Sequence, residues 1–169
     1  MARAIRWAAW RTPEDGSWRA LFNGRDLAGW RAEGKARFSV EDGILVGRQG
    51  EHGRAGDLFT EGEFSDFELE VVWAMDWPGN SGVWFRYQSP ERAYQADILE
   101  WKSPVCWSGT LDCAGEMFIA MNPDSSIVCR EGWNVFRVRA RKDRLEVFLN
   151  GRRAAGVRDG SSARGRIGL

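Results

Sequence analysis

Between residues 80 and 101 the chain reads NSGVWFRYQSPERAYQADILEW, with an indole and a guanidinium (Trp84, Arg86) before SPER and an amide and a carboxylate (Gln95, Asp97) after it. Each pair is spaced by two. On a β-strand that spacing puts both members on one face, because successive side chains project to opposite sides. If the two runs are adjacent strands, the four groups share a patch suited to a polar ligand. Asn80 and Ser81 add hydrogen-bonding groups at the tight turn before the first run, and Glu100 and Trp101 close the second. The outward face of an antiparallel strand is polar in any case. An indole facing outward beside an arginine is nevertheless costly to leave without a partner.

Two further candidates lie outside this stretch. His52, the single histidine, sits in the glycine-rich run QGEHGRAG; it is either a solvated loop residue or a proton carrier near neutral pH. Glu68 lies in DFELEVVWAM, where Phe67, Leu69, Val71, Trp73 and Met75 alternate with Glu68, Glu70 and Val72. Carboxylates so spaced serve acid/base work or a metal if their side lines a groove, and otherwise keep the surface soluble.

The elements that must position these groups read as strands. Val83, Phe85 and Tyr87 form the apolar face of the first run, and Tyr94, Ala96 and Ile98 that of the second. Asp42-Gly43 between two alternating runs predicts a hairpin with strands near 37–41 and 44–48. Turns at Lys142-Asp143 and Asn150-Gly151 predict two more, with Phe136, Val138 and Ala140 facing Leu145, Val147 and Leu149 in the core. Arg137, Arg139 and Arg141 then form a stripe on a solvated face with opposite charges nearby. The run from 102 to 115 lacks periodicity and reads as a loop beside the candidate site. About ten short strands without helical periodicity predict an all-β sandwich or jelly roll.

Composition narrows the function. At 169 residues the chain holds one domain, expected over 18–169 after a loose segment over 1–17. Its 24 basic and 24 acidic residues leave no net field to attract nucleic acid or an anionic membrane. Ten tryptophans and 20 glycines suit a loop-rich β fold with aromatic contact surfaces of the kind that hold small sugars. Cys106, Cys113 and Cys129 have no metal-ligand spacing and read as free thiols. The apolar run at the amino end is broken by Arg6 and Arg11, so a cytoplasmic location is expected.

LFNGRDLAGW, FSVEDGILVG, DLFTEGEFSDFELEV, NSGVWFR, YQADILEW, WNVFRVRARKDRLEVFLNG and GRIGL, in order from Leu21 to Leu169, resemble the 3-keto-disaccharide hydrolase domain family. The resemblance implies a concanavalin-A-like jelly roll of two antiparallel sheets that processes glycosides oxidised to a ketone at carbon 3. Such a ketone acidifies the hydrogen on carbon 2, so a base can form an enolate that expels the group on carbon 1, and water then adds to the enone.

On this reading Asp97 is the base, Arg86 steadies the oxyanion, and Glu100 and Glu68 are further acid/base or metal candidates. Asn80, Ser81, Gln95 and His52 bind hydroxyls while Trp84 and Trp101 stack, and a divalent metal ion with oxygen ligands is an alternative oxyanion partner. Where the family commonly reads Tyr-Glu-x-Gln-Ile-Leu-Asp, this chain has Gln95 and Asp97, with amide and carboxylate exchanged. The alternatives are a noncatalytic carbohydrate-binding jelly roll and a lyase or cyclase repurposed for a non-sugar metabolite. The family's strand beyond Ile-Gly-Leu is missing, so an open sheet edge is expected, filled by a homodimer or by a strand from elsewhere, such as the amino-terminal segment.

Overall fold

The structure is a computed structural model that describes residues 2–169. Its first eight strands are β1 (Ala2–Arg11), β2 (Arg19–Ala20), β3 (Trp30–Gly34), β4 (Arg37–Glu41), β5 (Ile44–Arg48), β6 (Gly56–Thr60), β7 (Phe67–Met75) and β8 (Ser81–Ser89). The rest are β9 (Arg92–Ile98), β10 (Glu100–Lys102), β11 (Val105–Cys113), β12 (Met117–Asn122), β13 (Asn134–Arg141), β14 (Arg144–Leu149), β15 (Arg152–Arg158) and β16 (Arg166–Gly168). Among the described residues the helical pieces are two short 3-10 turns, and no helix is long and apolar enough to cross a membrane.

The strands form two antiparallel sheets of eight, the jelly-roll sandwich expected from the alternating pattern. Sheet A runs β15-β14-β13-β7-β1-β5-β4 with β2 beside β1; sheet B runs β10-β11-β9-β8-β16-β6-β3 with β12 beside β11. The inward residues interdigitate: Val83, Phe85, Ala96 and Ile98 from sheet B and Phe136, Val138, Val147 and Leu149 from sheet A are all fully buried. Pairs such as Phe136 with Leu149 and Val138 with Val147 have the expected register. The hairpin turns form because Asp42, Gly43, Lys142, Asn150 and Gly151 adopt the left-handed backbone that two-residue turns need.

Three expectations are corrected. Residues 2–11 are not loose: β1 lies in the middle of sheet A, bonded to β7 on one side and to β5 on the other. Residues 105–113 form β11, which continues the hairpin with β9 and β10, so that stretch is not a loop. The expected open edge at the carboxyl end is filled within the chain, since β16 sits between β8 and β6 and Leu169 exchanges both backbone hydrogen bonds with Leu58. The amino-terminal segment does enter a sheet, as one expectation had it.

Candidate functional site

Strand β8 is where the sequence pattern breaks. Arg86 has φ 49, and from Phe85 to Ser89 strand β8 takes four steps against the two that β9 takes from Tyr94 to Arg92, a bulge that turns Arg86 inward beside Phe85 and Tyr87 outward. Its guanidinium turns inward and is fully buried. There it donates to the carbonyl oxygens of Ser65 at 2.8 Å, Lys142 at 2.8 Å and Ser162 at 3.2 Å, and to Asp66 Oδ1 at 3.1 Å. Every donor nitrogen is engaged, so Arg86 ties three loops together and is absent from the patch expected around Trp84. Tyr87, expected inside, is turned towards Trp84 instead, with ring centroids 5.9 Å apart.

The groups that do converge lie at one end of the sandwich. There the start of β1, the β4–β5 hairpin, the loop into β6 and the start of β8 enclose a cavity of about 330 Å³. Four of the expected residues, Asn80, Ser81, Trp84 and Gln95, line it. Arg3 and Asp57 also line it, and the sequence reading missed both. Trp84 Nε1 donates to Asp57 Oδ1 at 3.0 Å, which fixes the indole and the carboxylate together. Arg3 Nη1 donates to Ser81 Oγ at 2.5 Å and to the Gly82 carbonyl at 3.0 Å, while its Nε is buried without a partner. No carboxylate among the described residues is within ion-pair distance of Arg3. Desolvation, partly offset by Asp57, lowers Arg3 to about 10, so it stays cationic at neutral pH.

Gln95 lies across Gly82: a Cβ there would sit 2.5 Å from the amide, so only glycine lets Gln95 lie flat beside Trp84. Asp97 is one step further along the same strand face, opposite Gly82 in register and outside the cavity lining. It is 3% exposed, and its Oδ2 is buried with no hydrogen-bond partner. Burial, and then the charge of Asp112, push its carboxyl up to about 8, so at neutral pH Asp97 is mostly protonated. Asp112 is opposite Gln95 on β11 and is also raised by burial.

The remaining expected residues lie elsewhere. Glu68 is on the outer face of sheet A, where Arg11 contacts it at 2.6 Å, Arg139 at 3.2 Å and Arg141 at 3.3 Å. Burial pushes its carboxyl up, but the hydrogen bonds of Arg11 and the charges of Arg139, Arg11 and Arg141 outweigh this and hold it below its ordinary value. With Glu70 bridged to Arg137 at 2.6 Å, that face is the ion-paired sheet surface expected for the arginine stripe. Glu100 is paired with Arg130. Trp101 is exposed at the sheet B hairpin, edge-on to Phe118, and His52 is exposed on the loop beside Arg37 and Arg54. Among the described residues no three His, Cys, Asp or Glu side chains gather at metal-binding distance, and no chemical step is assigned to a metal.

Comparison with known proteins bears on the family and the fold. The model of the 3-keto-alpha-glucoside-1,2-lyase-like domain matches residues 17–169. A 3-keto-disaccharide hydrolase of Bacteroides thetaiotaomicron is 35% identical over 77 residues, which are 40% of this chain and 27% of that protein; the chain therefore matches only about a quarter of that relative's length. A candidate glycosyl hydrolase of Parabacteroides distasonis shares the fold with a TM-score of 0.65 at 20% identity, over 89% of this chain and 85% of that one. A carbohydrate-binding module of Bacillus subtilis does so with a TM-score of 0.51 at 18% identity, over 83% and 85%.

Proposed function

Because the chain belongs to the 3-keto-α-glucoside-1,2-lyase-like family, we propose that its cavity binds a glycoside already oxidised at carbon 3 and breaks the bond at carbon 1 by elimination. The observation that carries this reading is the meeting of Arg3, Asp57, Trp84 and Gln95 in one cavity. Trp84 offers a face to the apolar side of the pyranose, and Asn80, Ser81 and Gln95 take its hydroxyls. Asp57 removes the hydrogen on carbon 2. The electron pair moves onto the carbon 3 oxygen, where the free side of the Arg3 guanidinium faces the developing charge. Collapse of the enolate breaks the carbon 1–oxygen bond, and the departing oxygen takes up the proton that Asp57 removed, which releases the alcohol and restores the carboxylate. Water adds at carbon 1, carbon 2 regains a proton, and the sum is hydrolysis. The base moves from Asp97 to Asp57 because a carboxyl held protonated by burial makes a poor proton acceptor at neutral pH.

The test is product release from a 3-keto-glucoside and from its unoxidised parent, followed by NMR. The ketone substrate is cleaved and the parent is inert, since without the ketone the hydrogen on carbon 2 is not acidic enough. Asp57→Asn lowers turnover by ~100-fold or more while binding persists, the scale of a lost general base. If sugars bind with Trp84-dependent affinity and no 3-keto-glycoside is cleaved, the domain is a noncatalytic sugar-binding module, the reading that the Bacillus subtilis fold likeness favours.

A further inference from the structure

A second cavity, of about 810 Å³, lies beyond the Ala2–Asp76 backbone rung. Within the ~300–1,000 Å³ span of small-molecule sites, its composition is unlike the charge lattice further along sheet A. Ala4 and Ala74, paired in register across β1 and β7, make a small-residue floor. Trp77 and Trp133 border it. The Arg6 guanidinium is 4.3 Å from the Trp133 ring centroid, which props that indole from one side. Arg130 is tied to Glu100 and belongs to the lining, together with the carboxylates of Asp76 and Glu131. Trp77 Nε1 is buried and has no acceptor.

We propose that this cavity is a second carbohydrate site, which holds a neutral pyranose unit without acting on it. Two indoles supply apolar surface for a sugar ring. The lining offers both kinds of partner that hydroxyls need: Asp76 and Glu131 accept, while Arg130 donates. A flat aromatic compound would use the indoles and leave those polar groups idle. The site is independent of the chemistry assigned to the first cavity and would serve to keep a glycan close to it.

The test uses the full chain with cellotetraose and maltotetraose as probes, read by calorimetry and tryptophan fluorescence. Trp84→Ala removes binding at the first cavity, and the expected result is that one saturable site persists. Adding Trp133→Ala weakens that site by at least ~10-fold, since a stacked ring contributes on the order of 1–2 kcal/mol. Ala74→Phe, which fills the floor without cutting an indole, has the same effect. Loss of all oligosaccharide binding in Trp84→Ala, or affinity unchanged by both Trp133→Ala and Ala74→Phe, overturns the proposal. So does tighter binding of phenol than of either oligosaccharide. Turnover of 3-keto-glycosides is unaffected by Ala74→Phe, so failure here and failure of the elimination chemistry are read separately.

Discussion

Glu68 and Asp97 are both 3% exposed, yet their surroundings are opposite. Glu68 is clasped by Arg11, Arg139 and Arg141 and is held ionised, whereas Asp97 has Asp112 as its charged neighbour, no partner for Oδ2, and a carboxyl pushed up to about 8. Two arginines repeat the contrast. Arg86 is saturated by three carbonyls and Asp66; Arg3 has Ser81 and Gly82 and an idle Nε. Where the chain satisfies a buried charge completely, that charge holds the fold. Where satisfaction is left incomplete beside a cavity, capacity remains for a ligand.

The largest expected effect tests the structural side. Arg86→Met removes the buried guanidinium and leaves the carbonyl oxygens of Ser65, Lys142 and Ser162 without this donor, so chemical denaturation should show a loss of about 3–5 kcal/mol, the scale of several buried hydrogen bonds at about 1–3 kcal/mol each. A stably folded but inactive Arg86→Met would return that residue to the site. Arg3→Met tests the other side: turnover of a 3-keto-glucoside should fall by about 100-fold or more with stability changed by about 1 kcal/mol. A large fall in stability with unchanged turnover would make Arg3 a second Arg86.

The two carboxylates should differ in pH dependence. Because Asp97 in the folded chain titrates well above its ordinary value, the folded state holds a proton that the unfolded state has lost between about pH 4 and pH 8. Stability from this group is full at acid pH and is lost as pH rises towards 8. Asp97→Asn should therefore gain on the native chain across that window, by on the order of a few kcal/mol at pH 8. Glu68 has the reverse sign: its contribution is present above the ordinary carboxylate range and is lost as pH falls through its lowered folded value. Glu68→Gln should cost about 1–2 kcal/mol at pH 7, with the gap closing in acid. Parallel profiles for the two variants would erase the contrast.

Much of the fold was legible in the sequence, because alternation and turn chemistry are local. Asp42-Gly43, Lys142-Asp143 and Asn150-Gly151 mark their hairpins, and the inward residues of β8, β9, β13 and β14 follow from period two. Within β11 the alternation is interrupted at Gly109, whose φ of 93 kinks the strand, so the stretch looked like a loop. Half of the site was legible for the same reason: Ser81, Trp84 and Gln95 are placed by strand period, and Asn80 by the turn before β8. The bulge at Arg86 was not, since a single left-handed residue in a strand leaves no mark in composition. Arg3 and Asp57 were missed because they come from segments far apart in sequence. Asp57 opens a strand after a glycine-rich loop, and Arg3 lies in a basic, broken apolar run that only its sheet partners reveal as a strand.

The most direct test of Asp57 as the base is exchange at carbon 2, before any bond at carbon 1 breaks. A 3-keto-glucoside incubated in deuterated water at neutral pH is followed by proton NMR for loss of the carbon 2 hydrogen signal in the intact glycoside and in the product. The native chain and Asp97→Asn should both wash that signal out, and Asp57→Asn should slow the exchange by ~100-fold or more. Exchange at the native rate in Asp57→Asn, with loss in Asp97→Asn, would contradict the assignment and return the base to Asp97.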